Sequence, residues 1–154
     1  MTTRNGGQHL ADCLVGLGAR RGFGIPGESY LTLLDGLWDH REVFDFVICR
    51  QEGGASYMAE ARAKLTGEPG LCFVTRGPGA TNASIGVHTA MQNSTPMILF
   101  VGQAAKGDLG REAFQEVDYT AFFGGIAKWV VEIDDPARIR EILARVQRNA
   151  RHLL

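Results

Sequence analysis

Leu71-Cys72-Phe73-Val74-Thr75 is an almost unbroken apolar run, and it leads straight into Arg76-Gly77-Pro78-Gly79-Ala80-Thr81-Asn82, where glycine and proline turn the chain. Beyond the turn Ala83, Val87, Ala90 and Met91 recur at helical spacing, and Met97-Ile98-Leu99-Phe100-Val101 is a second apolar run. A strand with one wet face alternates apolar and polar residues. A run without alternation needs cover on both faces, which is the condition of strands in a parallel sheet. The order strand, turn, helix, strand therefore predicts an α/β domain of the doubly wound kind, with a mostly parallel sheet between two helical layers.

The same alternation extends in both directions. Val43-Phe44-Asp45-Phe46-Val47-Ile48-Cys49 is β-rich and feeds a helix over residues 52–67, along which Ala55, Ala59 and Ala63 mark a closely packed face. Before it come a helix carrying Leu31, Leu34 and Leu37, the break at Pro26-Gly27, and a short strand over residues 23–25. Leu10, Cys13, Leu14 and Leu17 form the apolar stripe of a first helix, which Arg20-Arg21-Gly22 is expected to stop. Residues 102–114 turn polar and glycine-rich at a strand's carboxyl end, the usual place for a binding loop, and are expected to be mobile before a ligand arrives. A last strand over residues 127–133 and a last helix from Pro136 to about residue 151, with Ile139, Ile142, Leu143 and Val146 facing inward, complete the reading. Pro136 suits a helix's first turn.

With 154 residues, 45% hydrophobic and 21% charged, the whole chain, 1–154, is read as one domain with a real core. A net charge of -1 lacks the concentrated positive charge that nucleic acid or an anionic membrane surface demands, so neither is expected as a partner. No apolar stretch follows Met1-Thr2-Thr3-Arg4-Asn5 and no run has spanning length, which leads to the expectation of a cytoplasmic protein. Cys13, Cys49 and Cys72 read as reduced packing residues. His9, His40, His88 and His152 lack the spacing of a zinc site, so no metal ligands are assigned to this chain.

Glu52 arrives where a strand ends and a helix begins, the edge at which open α/β sheets bind ligands. Taken alone it has an ordinary explanation, because an acidic residue in a helix's first turn complements the dipole for about 0.3–1 kcal/mol. Gly53 and Gly54 directly after it weigh against that explanation, since glycine inside a helix costs up to about 1 kcal/mol and suits a site where something presses close. The Gly77-Pro78-Gly79 turn matches neither a Walker loop, for want of the lysine and hydroxyl, nor the three-glycine dinucleotide fingerprint. By turn chemistry alone it is a structural bend.

Taken in order along the chain, the motifs are more specific than any of them singly. Phe23-Gly24-Ile25-Pro26-Gly27, Arg50-Gln51-Glu52-Gly53-Gly54-Ala55, Thr75-Arg76-Gly77-Pro78-Gly79-Ala80-Thr81-Asn82, Pro96 through Gly102-Gln103, Ala113-Phe114-Gln115-Glu116-Val117-Asp118 and Ala127-Lys128-Trp129 together resemble the pyrimidine-binding domain of thiamine-diphosphate enzymes, closest to the acetolactate synthase group, from about residue 8 to 150. The resemblance implies a flavodoxin-like three-layer domain. It implies that the glutamate matching Glu52 hydrogen-bonds the coenzyme's aminopyrimidine and favours the imino tautomer that deprotonates the thiazolium, a task suited to a short charge-assisted bond. Pro26, Gly27, Thr75, Gly77, Pro78, Gly79 and Asn82 would line the cofactor with Glu52. Gln115 would join Glu52 in the catalytic set. Glu28, Arg76, Phe114, Gln115 and Lys128 would face the substrate, a small 2-oxo acid that is decarboxylated or ligated. Without the family context Phe114 is a packed aromatic, and Gln115 and Lys128 are solvated side chains.

The sequence departs from the family at Glu28, where a second glycine is common, at Arg76, usually serine, and at Asn93, often aspartate. These changes make pyruvate an unsafe guess. Arg76 would select a second carboxylate or a phosphorylated group by bidentate pairing, or else be held in a surface ion pair. The family's central domain and its diphosphate- and magnesium-binding domain have no counterpart, Gly107-Asp108-Leu109 being the nearest string to the metal motif. The expectation is therefore a fragment or split-enzyme subunit that works with a diphosphate-binding domain or subunit, binds thiamine diphosphate with Mg2+ held by that partner, forms a homo-dimer or higher oligomer, and is inactive alone. The other readings are a non-catalytic oligomerisation or regulatory module that keeps the fold, and a nucleotide binder using the helix start after Gly79.

Overall fold

Four strands form one all-parallel sheet in the order β2-β1-β3-β4 in the computed structural model, which describes residues 3–151. The strands are β1 (Arg21–Gly24), β2 (Asp45–Ile48), β3 (Gly70–Val74) and β4 (Met97–Val101). Six α-helices accompany them among the described residues: α1 (Gly6–Gly16), α2 (Leu31–Asp39), α3 (Glu52–Thr66), α4 (Pro78–Gln92), α5 (Tyr119–Phe123) and α6 (Ile139–Arg151). No helix among them is long and apolar enough to cross a membrane. His152 lies outside the described residues.

β3 shows why the sheet needs cover on both sides. Every residue of it is buried. Leu71 and Phe73 point into a core shared with α1, α2 and α6, whereas Cys72 and Val74 point into one shared with α3 and α4. Strand geometry sends successive side chains to opposite faces, so an unbroken apolar run builds two cores at once. Each fully buried side chain of this size contributes about 1.5–3 kcal/mol. Phe73 anchors the first core, with its ring centroid 4.8 Å from that of Phe100, 5.7 Å from Phe46 and 6.3 Å from Phe44. Gly22 in β1 leaves the space this ring occupies, and a Cβ there would collide with it. Ala55 and Ala59 of α3 belong to the second core, and Ala63 is buried with them along the same helix, as their spacing predicts. Burial pushes the Cys72 thiol up to about 12, so it behaves as an inert packing residue. All the cysteines are free, Cys13 and Cys49 half-buried and Cys72 fully so.

Capping explains where helices begin and stop. The Asn5 side chain accepts from the Gln8 backbone at 2.9 Å while Gln8 reaches back to the Asn5 backbone, a reciprocal cap that starts α1. Gly67, at φ 72°, closes α3 in the left-handed conformation glycine tolerates.

Two expectations need correction, and one helix is added. α1 stops at Gly16, followed by Gly18 at φ 96°, while Arg21 and Gly22 belong to β1. The arginines are therefore not the stop signal; the glycines before them are. Residues 127–133 form no strand, and the sheet ends at β4. Their apolar side chains are used as packing instead, Ala127 and Val130 against the second core and Ile133 against the first, with Trp129 under Arg145 of α6 at 5.0 Å. As a result β4 is only partly buried, despite reading like β3. Finally, the segment after residue 114 contains α5, started by Asp118 accepting from the Ala121 backbone at 3.0 Å, which the apolar periodicity did not signal.

Candidate functional site

The strand order reverses between β1 and β3: the chain passes from β1 outward to β2, then crosses back to β3. Loops leaving the carboxyl ends of such a pair diverge and open a crevice, the usual ligand position in open α/β sheets. Pro26 and Gly27 follow β1, and Thr75, Arg76 and Gly77 follow β3, so the two quoted turns face one another across that point. Their contacts are close. A Cβ on Gly27 would come within 2.6 Å of the Thr75 Cβ, and the Ser29 and Thr75 hydroxyls are hydrogen-bonded at 2.9 Å. The Tyr30 hydroxyl donates to the Ile25 carbonyl, fixing the loop from beneath.

Glu52 stands beside this crevice as the first residue of α3. Gln51 caps the helix by accepting from the Gly54 backbone at 2.9 Å, which leaves the Glu52 carboxylate unused by the cap. Asn82 of α4 donates to its Oε2 at 3.0 Å, and Oε1 has no protein partner among the described residues. The residue is half-buried. Gly53 accounts for the approach of the two helices, since a Cβ there would lie 2.7 Å from Ile85 Cδ1 and 3.3 Å from the Asn82 carbonyl. Gly54 has open space around it, so only the first of the two glycines reports close packing.

The Gly77 turn is held open by its neighbours. Its φ is 39°, and a Cβ would lie 2.9 Å from both the Cβ and the carbonyl of Gln115, so side-chain-free backbone is required twice over. Its N–H donates to the Tyr119 hydroxyl at 2.9 Å. Burial pushes that phenol up and keeps it protonated. Pro78 supplies the first helical position of α4, and Gly79 packs on Thr75.

The expected substrate-side residues divide. Arg76 and Glu28 form an ion pair at 2.6 Å, and the Phe114 ring lies 5.6 Å from the Arg76 guanidinium. Gln115 adjoins them at the turn, itself at φ 60°. Lys128 stands apart: its ammonium donates to the Asn149 carbonyl of α6 at 3.2 Å, and it lines a separate cavity of about 630 Å3 between β4, α1 and α6. Neither Glu52 nor Gly77 lines that cavity. It follows from residues 127–133 standing off β4. No group of three or more His, Cys, Asp or Glu among the described residues is arranged to hold a metal ion.

Sequence reasoning missed Ser29 and Tyr119, which tie the crevice together through their hydroxyls. The Asp118 cap, read as the start of a short helix, would have drawn attention to Tyr119. The binding loop proves to be internally braced, with Glu116 accepting from the Gly110 backbone at 2.6 Å and the Ala113 backbone at 3.0 Å. Those N–H donors hold its carboxyl below the usual range.

Sequences of known proteins match this chain. The family described as thiamine pyrophosphate enzyme, N-terminal TPP binding domain, matches residues 4–122. The mitochondrial acetolactate synthase catalytic subunit of Aspergillus candidus is 37% identical over 142 residues, covering 90% of this chain and 20% of that protein. The acetolactate synthase large subunit of Pyropia yezoensis is 36% identical over 143 residues, covering 92% and 24%, and the acetolactate synthase of Bacillus subtilis is 34% identical over 150 residues, covering 97% and 26%. The chain thus spans about a fifth to a quarter of the length of these relatives.

Proposed function

From the premise that the chain belongs to the thiamine pyrophosphate enzymes, as an N-terminal TPP-binding domain of acetolactate synthase-like type, we propose that it forms the pyrimidine-side half of an active site acting on 2-oxo acids, with Glu52 as the activating carboxylate. The observation that carries this reading is the state of Glu52: Asn82 occupies one oxygen and orients the group, and the other is left for a ligand at a crevice edge. A cofactor fits these residues. The Glu52 oxygen that Asn82 leaves unmet is an acceptor for a ring N–H, and Gln115 fills the space a Cβ on Gly77 would need, which holds the turn in place.

Bound thiamine diphosphate would supply the acidic carbon and electron sink that allow a 2-oxo acid to lose carbon dioxide. Glu52 holds a proton between its carboxylate and a ring nitrogen, in a half-buried setting where a charge-assisted hydrogen bond is strong. Asn82 keeps that carboxylate pointed at the crevice. Pro26, Gly27, Thr75, Pro78 and Gly79 shape the two walls, and Phe114 and Gln115 close the substrate side. Lys128 serves the substrate only if residues 127–133 move, since its ammonium now bonds to α6. The diphosphate and Mg2+ would be gripped by a diphosphate-binding domain or subunit, with a second copy completing a dimer or larger assembly, because no group of carboxylates among the described residues is arranged to hold the ion.

The test is Glu52→Gln in the complex reconstituted with a diphosphate-binding partner. Carbon dioxide release should fall by at least about 100-fold, the usual worth of a positioned proton-transfer group, with thermal unfolding unchanged. An unaffected rate removes the assignment.

A further inference from the structure

Arg76 is not an ordinary surface cation. Its side chain is only 16% exposed, whereas that of its partner Glu28 is 65% exposed. Glu28 engages a single nitrogen, Nη2, at 2.6 Å, and the neighbouring Nε is buried with no hydrogen-bond partner. Nε and Nη2 form one edge of the guanidinium, spaced to meet both oxygens of a carboxylate side-on. Half of that edge is unmet, and a buried donor without an acceptor is costly. The Phe114 ring, 69% exposed, lies over the guanidinium and favours its present plane. The fixed member of the group is thus the arginine, and the two on the solvent side, Glu28 and Phe114, are free to turn away.

We propose that Arg76 is the specificity-determining residue of the site, reading a second carboxylate on a 2-oxo acid substrate by exchanging the one-point bond to Glu28 for a two-point bond through Nε and Nη2. This rests on the thiamine diphosphate reading above. The carboxylate it reads is not the one lost as carbon dioxide. A tight grip on the departing group would stabilise the ground state against the transition state, where that charge is dispersing, and would slow the reaction. A carboxylate retained through the reaction carries no such penalty. Arg76 directly precedes Gly77, so a group held there stands one residue from the cofactor turn.

The experiment compares 2-oxoglutarate with 2-oxobutyrate, which lacks only the second carboxylate, by calorimetric titration of the chain. The natural protein should bind 2-oxoglutarate at least about tenfold more tightly than 2-oxobutyrate. Arg76→Gln should abolish that preference and Arg76→Lys should not restore it. Glu28→Gln, which weakens the competitor, should strengthen it. Circular dichroism confirms that each variant is folded, and the lysine variant keeps the test decisive should the glutamine variant fail to fold. Equal binding of the two oxo acids by the natural protein or a preference that survives Arg76→Gln would overturn the inference. Thiamine diphosphate with Mg2+ is titrated separately, against the natural protein and Glu52→Gln, each reconstituted with a diphosphate-binding partner. If it does not bind while the Arg76-dependent preference persists, the cofactor reading falls and the carboxylate reader stands; if it binds and the preference is missing, the reverse holds.

Discussion

Two glutamates on α3 divide the labour of the domain. Glu52, at the helix start, has one hydrogen-bond donor, Asn82, and an oxygen to spare. Glu60, two turns on, has a side chain 6% exposed and is met by Lys64 at 2.7 Å, Thr95 at 3.1 Å and Asn93 at 3.4 Å. Burial pushes the Glu60 carboxyl up, but Lys64 and then Thr95 and Asn93 outweigh it and hold it below the usual range. The saturated carboxylate is structural, fastening α3 to the segment before β4. The undersaturated one costs the fold little and is available for chemistry. The contrast also gives Asn93 a role: its amide donates to Glu60 where a second carboxylate would repel it.

The sharpest way to break this contrast is Glu60→Ala, which removes every bond at a buried position. A loss of about 2–4 kcal/mol is expected in denaturant titration. Next in size, Tyr119→Phe strips the acceptor from the Gly77 N–H and should cost about 1–2 kcal/mol, while raising the thiamine diphosphate Kd because the turn loosens. Acid titration sharpens the comparison further. The folded-state pKa of Glu60 is depressed, so its contribution is whole above the unfolded value of about 4.3 and is lost as pH falls below it. Unfolding curves in that acid range should therefore flatten in Glu60→Gln relative to the natural protein. The smallest effect belongs to Glu52→Gln, which keeps an acceptor for Asn82 and should shift stability by less than about 0.5 kcal/mol. A cost equal to that of Glu60→Ala would mean the two carboxylates do the same work.

Much of this was legible in advance because backbone and side chain agree locally. The apolar runs of β3 and β4, the Pro78 start of α4 and the stop at Gly67 all follow from short-range rules, and the sites at Glu52 and Gly77 follow from where those elements end. Residues 127–133 misled because apolar β-branched sequence specifies burial, and burial is satisfied equally by packing on α6 as by joining a ladder. The Arg76–Glu28 pair was visible only as two unusual residues. Their unequal exposure and the unmet Nε are properties of the folded surroundings, which no spacing encodes.

The braced loop has a kinetic consequence. With Gln103 donating to the Val117 carbonyl, Glu116 clasping two N–H groups and Tyr119 bound to Gly77, the stretch over the crevice is a collar fastened at both ends rather than a flap. Admission of a small acid then waits only on rotation of exposed side chains such as Phe114, a picosecond-to-nanosecond event. Arrival at the crevice should accordingly run close to the rate of encounter, with no slow gating phase in stopped-flow traces.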